Sequence, residues 1–166
     1  MNHNYTIEVV DHQYIINNEK NISDLLAIAF NGSQFNSKYT VISPFEQTLK
    51  MSSNPPRKGI RHIISFNVDQ EIIGALFSID TICTNESYDA NCGWFFTVPS
   101  LEHDVRKEIA HSLWDKGHKL MKDGGLKRVV TKMGTEAGAR FLAEHFGYVN
   151  NQTDIEVNCW IHDLGD

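Results

Sequence analysis

The stretch that decides the fold runs from Gly93 to Val149 and opens with GWFFTVP, residues 93–99. Its first part, Gly93 to Val98, is a continuous run of apolar, aromatic and β-branched residues that stops at Pro99, which is typical of a strand covered on both faces. A polar turn, Ser100 to Asp104, comes next, and helical spacing begins after it. Because the first N–H groups of a helix have no partner inside the helix, this strand–turn–helix order predicts a site that attracts an anion.

The helix after the turn is predicted from Val105 to about Met121, with Asp104 as its N-cap and Asp123-Gly124-Gly125 at its end. Apolar side chains recur at helical spacing and predict one face packed on the core. The core stripe consists of Val105, Ile109, Leu113 and Leu120, widened by Ala110, Trp114 and Met121. The opposite face carries Lys107, Glu108, His111, Asp115, His118 and Lys122.

A second strand is predicted from Leu126 to Thr131. A helical crossover places two strands parallel with a right-handed connection, so the strand before the helix and this one predict a βαβ unit.

Three segments of this region resemble motifs of the GNAT acetyltransferase superfamily. Thr97-Val98-Pro99 resembles the V-x-P end of the family's central strand, and Val105 to Ala110 resembles its R/Q-x-x-G-x-G/A turn. Glu136 to Tyr148 resembles the later N-x-x-A-x-x-F-Y-E-K-x-G-F segment. With an upstream hairpin and a final strand, the resemblance covers most of the chain from Ile22 onward.

The resemblance implies an α/β, GNAT-like fold with a mixed central sheet of about six or seven strands, flanked by helices. Two parallel central strands splay apart in this fold, and acetyl-coenzyme A lies between them as the co-substrate. The positions implied to bind it are Phe96, Thr97, Val98, Arg106, Lys107, Glu108, Ile109, Ala110 and His111.

The motifs differ from the family pattern at two places. Glu108 stands where the first motif glycine would be, and Ala143 stands where a tyrosine often protonates the departing thiolate. The candidates to replace this acid are therefore Tyr148, His145 or another group. Glu102 and His103 are the candidate bases, because they follow the strand end where an attacking amine must lose a proton.

The function implied is transfer of an acetyl group to a primary amine of a small molecule or peptide by direct attack. Two alternatives stay open, a non-catalytic acyl-coenzyme A binding or interaction module, and a toxin that acylates charged tRNA. The net charge of −6 disfavours a nucleic-acid partner. A homodimer is left open.

Length and composition predict a single domain over residues 1–166, because the 41% apolar, 22% charged content is ordinary for a globular domain, and the resemblance implies that this domain is GNAT-like. No apolar run approaches the length of a membrane span, and the N-terminal residues lack the plan of a signal peptide, so a cytoplasmic protein without membrane contact is expected. Three cysteines without a C-x-x-C pair predict reduced thiols. His111, Asp115 and His118 share a helix face, but no fourth ligand is indicated, so no metal site is expected.

Outside the central region, a helix is predicted from Asn21 to Asn31, ending before Gly32, and a capping box at Ser43-Pro44-Phe45-Glu46 predicts a second helix to Lys50. A hairpin is predicted from two β-rich runs, Ile60 to Val68 and Glu71 to Ile82, and a last strand from Ile155 to Ile161. A polar loop, Thr84 to Ala90, contains Glu86 and Tyr88 as candidate substrate contacts, although a plain surface loop is the simpler interpretation.

Overall fold

A computed structural model describes residues 4–30, 59–83, 88–132, 135–150 and 159–165 of the chain. These residues form eight strands and four helices. In chain order the elements are β1 (Tyr5–Val10), α1 (His12–Asn17), α2 (Glu19–Phe30), β2 (Ile60–Asn67), β3 (Ile72–Asp80), β4 (Asp89–Asn91), β5 (Trp94–Thr97), α3 (His103–Asp123), β6 (Arg128–Lys132), α4 (Glu136–Phe146), β7 (Val149–Asn150) and β8 (Cys159–Asp163).

The first sheet is antiparallel throughout and has the order β1-β2-β3-β5. Its central hairpin confirms the prediction of two strands around Asp69-Gln70. The side chain of Asn67 makes this turn, because its Oδ1 accepts the backbone N–H groups of Asp69 and Glu71, at 2.9 Å each. Gln70 takes the left-handed conformation that the turn requires, with φ of 64°.

The second sheet has the order β4-β6-β8-β7 and contains the parallel pair that the sequence predicted. The prediction named the wrong partner, however. The strand parallel to β6 is β4, which falls in the stretch read as a loop, whereas β5 pairs antiparallel with β3. Since β4 and β5 are separated only by Cys92 and Gly93, one extended segment serves both sheets in turn.

Helix α3 packs across the first sheet, and two glycines allow the close approach. A Cβ atom added at Gly74 of β3 would lie 3.0 Å from Ile109 of α3, and one at Gly117 of α3 would lie 3.0 Å from Leu76 of β3. The core on this side includes Ile63, Leu76, Ile109, Leu113, Trp114 and Met121. A second core lies on the other face of the same strands and includes Ile15, Ile22, Leu26, Ile64, Phe66, Phe77 and Phe96.

The ends of α3 differ from the prediction at its N-terminus. The helix begins at His103, two residues before the expected start at Val105, and its N-cap is Glu102, whose side chain makes no capping hydrogen bond. Asp104 therefore lies in the first turn and is not the cap. The polar face was also assigned wrongly at one position, because His118 is buried. The other end agrees, since the helix stops at Asp123 before Gly124.

The fold class is confirmed as a mixed α/β arrangement with splayed parallel strands, although the described residues contain eight strands where six or seven were expected. Strand β1 and helix α1 were not predicted. The predicted helix from Ser43 to Lys50 lies outside the described residues, as does Glu86. Among the described helices, none is both long and apolar enough to cross a membrane.

Candidate functional site

The two sheets separate where β4 leads into β5, because no hydrogen-bonded pairing joins β5 to β6 among the described residues; the space between these two strands is called the gap. The parallel register joins Asp89 to Arg128, Ala90 to Val129 and Asn91 to Val130, and it stops there. Beyond this point β5 follows β3, while β6 continues beside β8. Within the part of the chain that the structure describes, no strand pairs with the edge of β5 that faces β6.

Backbone hydrogen bonds show which N–H groups of β5 face the gap. The N–H of Val98, just after β5, donates to the carbonyl of Ile73 at 2.9 Å, so it points towards β3. Because successive residues of a strand turn their N–H groups to opposite edges, Phe96 also faces β3, whereas Phe95 and Thr97 face the gap. Of the three predicted backbone positions, only Thr97 can therefore donate to a group lying between β5 and β6.

Five residues separate the end of β5 from the first residue of α3. The N–H of Arg106 donates to the carbonyl of Glu102 at 2.9 Å and closes the first helical turn. The amides that lack an acceptor within the helix are consequently those of His103, Asp104 and Val105. The predicted anion contacts, from Arg106 to His111, have their N–H groups inside the helical ladder. The two residues that precede Val105 in α3, His103 and Asp104, are polar and occupy no stripe position, so hydrophobic spacing could not reveal this earlier start.

Arg106 is the predicted side chain that the structure joins directly to the strand. Its Nε donates to Oγ1 of Thr97 at 3.1 Å. A guanidinium has five N–H donors, so four remain for an anion after this bond. The contact holds a cation between the last residue of β5 and the first turn of α3.

Glu108 lies on a different side of α3 from Arg106. Residues two positions apart in an α-helix point in directions that differ by roughly 200° around its axis. The Glu108 carboxylate therefore points away from Arg106 and faces β1. There, the hydroxyl of Tyr5 donates to Glu108 Oε1 at 3.2 Å and shares a hydrogen bond of 2.9 Å with Ser112 Oγ. Burial is the main cause that raises the pKa of Tyr5 above its ordinary value; the hydrogen bond with Ser112 lowers the pKa, and the charge of Glu108 raises it. Glu108 is thus in contact with β1 and not with the gap.

The remaining predicted cofactor positions divide into core and surface. Ile109 and Ala110 are buried against the first sheet and belong to the core. His111 is exposed and stacks on Phe146 of α4, with ring centres 4.8 Å apart. Lys107 is exposed, and so are the candidate bases Glu102 and His103.

Tyr148 lies far from the other catalytic candidates. Its side chain is 3% exposed, and its hydroxyl makes a 2.6 Å hydrogen bond with Nε2 of His118. His162 stacks on the same ring at 4.8 Å. His118 follows His103 by fifteen residues, which is about 22 Å along the helix axis. The structure therefore separates Tyr148 from Glu102 and His103.

The environment of this pair keeps both groups neutral. Burial, followed by the charge of Cys92, raises the pKa of Tyr148 far above its ordinary value. Burial, followed by His162 and His111, lowers the pKa of His118 to about 4. Each group is thus a poor proton donor or acceptor for solvent near neutral pH, and Tyr148 serves as a packing residue of the second sheet.

The three residues that helical spacing placed on one face of α3 do not come together as metal ligands. His111, Asp115 and His118 do not converge, because His118 turns into the core. In the described ranges, no group of three or more His, Cys, Asp and Glu side chains is placed to hold a metal ion.

No protein-family model matches this chain, and no curated protein matches its sequence. Solved structures, however, match its fold over nearly the whole length. The GNAT family N-acetyltransferase YhbS from Escherichia coli, in complex with CoA, is 15% identical with a TM-score of 0.61, over 99% of this chain and 84% of that protein.

Two further structures give the same result. The PaiA N-acetyltransferase from Thermoplasma acidophilum, in complex with coenzyme A, is 15% identical with a TM-score of 0.64, over 95% of this chain and 99% of that protein. YncA from Salmonella typhimurium, with its cofactor acetyl-CoA, is 12% identical with a TM-score of 0.65, over 98% of this chain and 95% of that protein. With its splayed parallel strands and the helix that follows them, this chain has the fold of the GNAT acetyltransferase superfamily.

Proposed function

We propose that this chain is an N-acetyltransferase that moves the acetyl group of acetyl-coenzyme A to a primary amine of a small molecule or peptide. The observation that carries the proposal is the gap between β5 and β6, with N–H groups of β5 along one side and the start of α3 at its end. Structures of the same fold contain CoA or acetyl-CoA, which supports coenzyme A as the ligand of this gap.

The phosphate end of the ligand fits the first turn of α3. The amides of His103, Asp104 and Val105 supply N–H donors, and Arg106 supplies a guanidinium that Thr97 orients. The carboxylates of Glu102 and Asp104 oppose an anion there. Glu108 opposes it less than its place in the sequence indicates, because its carboxylate faces β1.

The acetyl end fits the edge of β5. A thioester carbonyl in the gap would accept a hydrogen bond from the N–H of Thr97 or Phe95, and this bond would stabilise the negative charge that develops on the oxygen. The amine nitrogen attacks the carbonyl carbon, the new C–N bond forms, and the C–S bond breaks. The protein mainly positions and polarises the two reactants.

Proton transfer in the proposed reaction depends on exposed side chains and on solvent. The attacking amine loses a proton to Glu102, His103 or solvent, and the departing thiolate takes a proton from solvent, since Ala143 carries no acid. A thiol with an ordinary pKa of about 8.5 is already a fair leaving group, so the missing acid slows the transfer without preventing it.

A second function is an acyl-coenzyme A binding module without turnover. Tyr148 favours this alternative, because the hydroxyl of this candidate acid is buried and hydrogen-bonded to His118, away from Glu102 and His103. Both functions require coenzyme A binding, and only the first requires amine-dependent release of free coenzyme A.

Two measurements test the proposal. Thermal unfolding with acetyl-coenzyme A and with free coenzyme A should show a rise in Tm, since a ligand that binds only the native state stabilises it. Release of coenzyme A is then followed with a panel of primary amines, beside heat-inactivated protein. No shift in Tm at millimolar ligand would contradict both functions, and a shift without amine-dependent release across the panel would favour the binding module.

A further inference from the structure

Two exposed histidines from different helices meet on the surface of the molecule. His111 lies in the third turn of α3, and His145 lies in the last turn of α4, thirty-four residues later. Their ring centres are 5.9 Å apart, and the ring planes cross at 76°. Helical spacing placed His111 on one face with Asp115 and His118, so only the tertiary structure reveals its pairing with His145.

Each imidazole is held in place by an aromatic ring. His111 stacks on Phe146 with ring centres 4.8 Å apart and an angle of 25°, and His145 packs on Phe141 at 4.5 Å. Both phenylalanines belong to α4. These contacts restrict the rotation of two side chains that would otherwise move freely at the surface, so the pair is partly organised before any ligand binds.

The spacing of the rings suits a single metal ion. Two imidazoles on one tetrahedral ion, at metal–nitrogen distances of about 2.0–2.1 Å, hold their ring centres roughly 5 to 5.5 Å apart. The observed separation of 5.9 Å is slightly larger, so a small side-chain movement brings both rings onto one ion. Water would complete the coordination, because no third His, Cys, Asp or Glu side chain among the described residues joins the pair.

The local charges favour a cation. His145 lies in the last turn of α4, where the helix dipole is negative. Asp115, one turn after His111 on α3, and Glu144, next to His145 in the chain, add carboxylates, against Lys107 and Arg140. The net charge of the chain is −6.

We propose that His111 and His145 form a surface site for a divalent transition-metal ion that bridges α3 and α4. Imidazole pairs select copper, nickel, zinc and cobalt and do not select magnesium, which requires oxygen ligands. Because the ligands belong to two helices that meet only in the folded state, the ion stabilises the native protein and ties α4 to α3. The site is independent of the proposed acetyl transfer.

The test is calorimetric titration of the full chain with Cu²⁺, Ni²⁺, Co²⁺, Zn²⁺ and Mg²⁺, each in a separate experiment at pH 7.5, in a buffer that does not chelate metals. One ion per chain is expected, with copper binding tighter than nickel and nickel tighter than cobalt, and with no binding of Mg²⁺. His111→Ala and His145→Ala should each weaken Ni²⁺ binding at least about tenfold. His103→Ala, which removes another exposed histidine of α3, should leave the affinity unchanged.

A second experiment measures the effect of Ni²⁺ on thermal stability. Ni²⁺ should raise the Tm of the unmodified chain and of His103→Ala, and it should not raise the Tm of either ligand variant, whose fold is checked by circular dichroism without metal. Equal Ni²⁺ affinity in the unmodified chain and both ligand variants would place the ion elsewhere and overturn the proposal. Absence of any Ni²⁺ binding by the unmodified chain at pH 7.5 would overturn it too.

Discussion

At the scale of single residues, the contact between Arg106 and Thr97 connects strand to helix at the candidate site. It holds the guanidinium beside the gap, while Glu108, which the sequence places in the same motif, turns to Tyr5 on the other side of α3. The charge balance near the gap therefore depends on which side of one helix each residue occupies. Because Glu108 and Arg106 point in directions roughly 200° apart, the candidate anion site is more favourable than the number of charged residues in the motif indicates.

Arg106→Ala is expected to weaken acetyl-coenzyme A binding about tenfold, because a charge-assisted hydrogen bond is worth about 1.5 kcal/mol or more. Titration calorimetry measures the change. Lys119→Ala is the matched control, since Lys119 is an exposed cation of the same helix far from its N-terminus. Equal affinities of the two variants would show that backbone amides alone bind the phosphates.

Ala143→Tyr is expected to accelerate acetyl transfer in the proposed reaction, because it supplies a hydroxyl at the position where the GNAT motif that this segment resembles often has the acid. The measurement is the rate of coenzyme A release with an amine that the unmodified chain accepts. A rate below that of the unmodified chain, with intact fold and cofactor binding, would mean that the side chain at this position does not reach the thiolate.

At the scale of elements, the end of α3 depends on a contact that only glycine permits. A Cβ atom at Gly124 would lie within bonding distance of the carbonyl oxygen of Thr81, and the carbonyl of Gly124 itself accepts the N–H of Cys83 at 2.9 Å. Gly147, after α4, is different. It has a φ of 74°, and no atom lies within 4 Å of the position that a Cβ would take. Gly124 is required because a side chain would collide with Thr81, whereas Gly147 is required because its backbone takes the left-handed conformation.

Gly124→Ala is expected to lower the free energy of unfolding by about 3 kcal/mol or more, because the backbone of β3 and its following loop must move away. Gly147→Ala should cost about 1–2 kcal/mol, the strain of a left-handed residue. Urea unfolding of both variants measures the difference. Equal losses would show that the backbone near Thr81 moves away from the added methyl group at little cost in free energy.

At the scale of the whole molecule, two buried histidines make stability depend on pH. Burial is the main cause that lowers the pKa of His62 to about 3, on the α1 side of the first sheet, and that of His118 to about 4, under the second sheet. The nitrogen Nδ1 of His62 accepts the N–H of Ser78 at 3.0 Å, which requires the neutral form. Both cores therefore favour an uncharged imidazole.

The unfolded chain binds protons to these histidines near pH 6.5, whereas the folded chain binds them only near pH 3 to 4. Stability is consequently complete above about pH 6.5 and falls as the pH is lowered from there. Each histidine should remove about 2 kcal/mol between pH 7 and pH 5. Urea unfolding at the two pH values tests this, with His118→Gln expected to show a smaller loss and His103→Gln the unmodified loss. A pH-independent free energy of unfolding would contradict the prediction.

The sequence by itself determined the elements whose causes are local. Hydrophobic spacing located α3, the β-rich runs located the hairpin of β2 and β3, and the apolar run before Pro99 located β5. Helix α4 ends at Gly147, a glycine in the left-handed conformation, which is again a local cause. These features depend on residues within a few positions of one another, so their periodicity and caps are readable along the chain.

Only the tertiary structure decided which elements meet. It paired β6 with the short β4 instead of β5, turned the N–H of Val98 towards β3, and placed Glu108 against Tyr5. It also buried His118 beside Tyr148. The physical reason is that helical periodicity states which residues share a face, but not what packs on that face. Partners that lie far apart in the chain are chosen by the packing of whole sheets and helices.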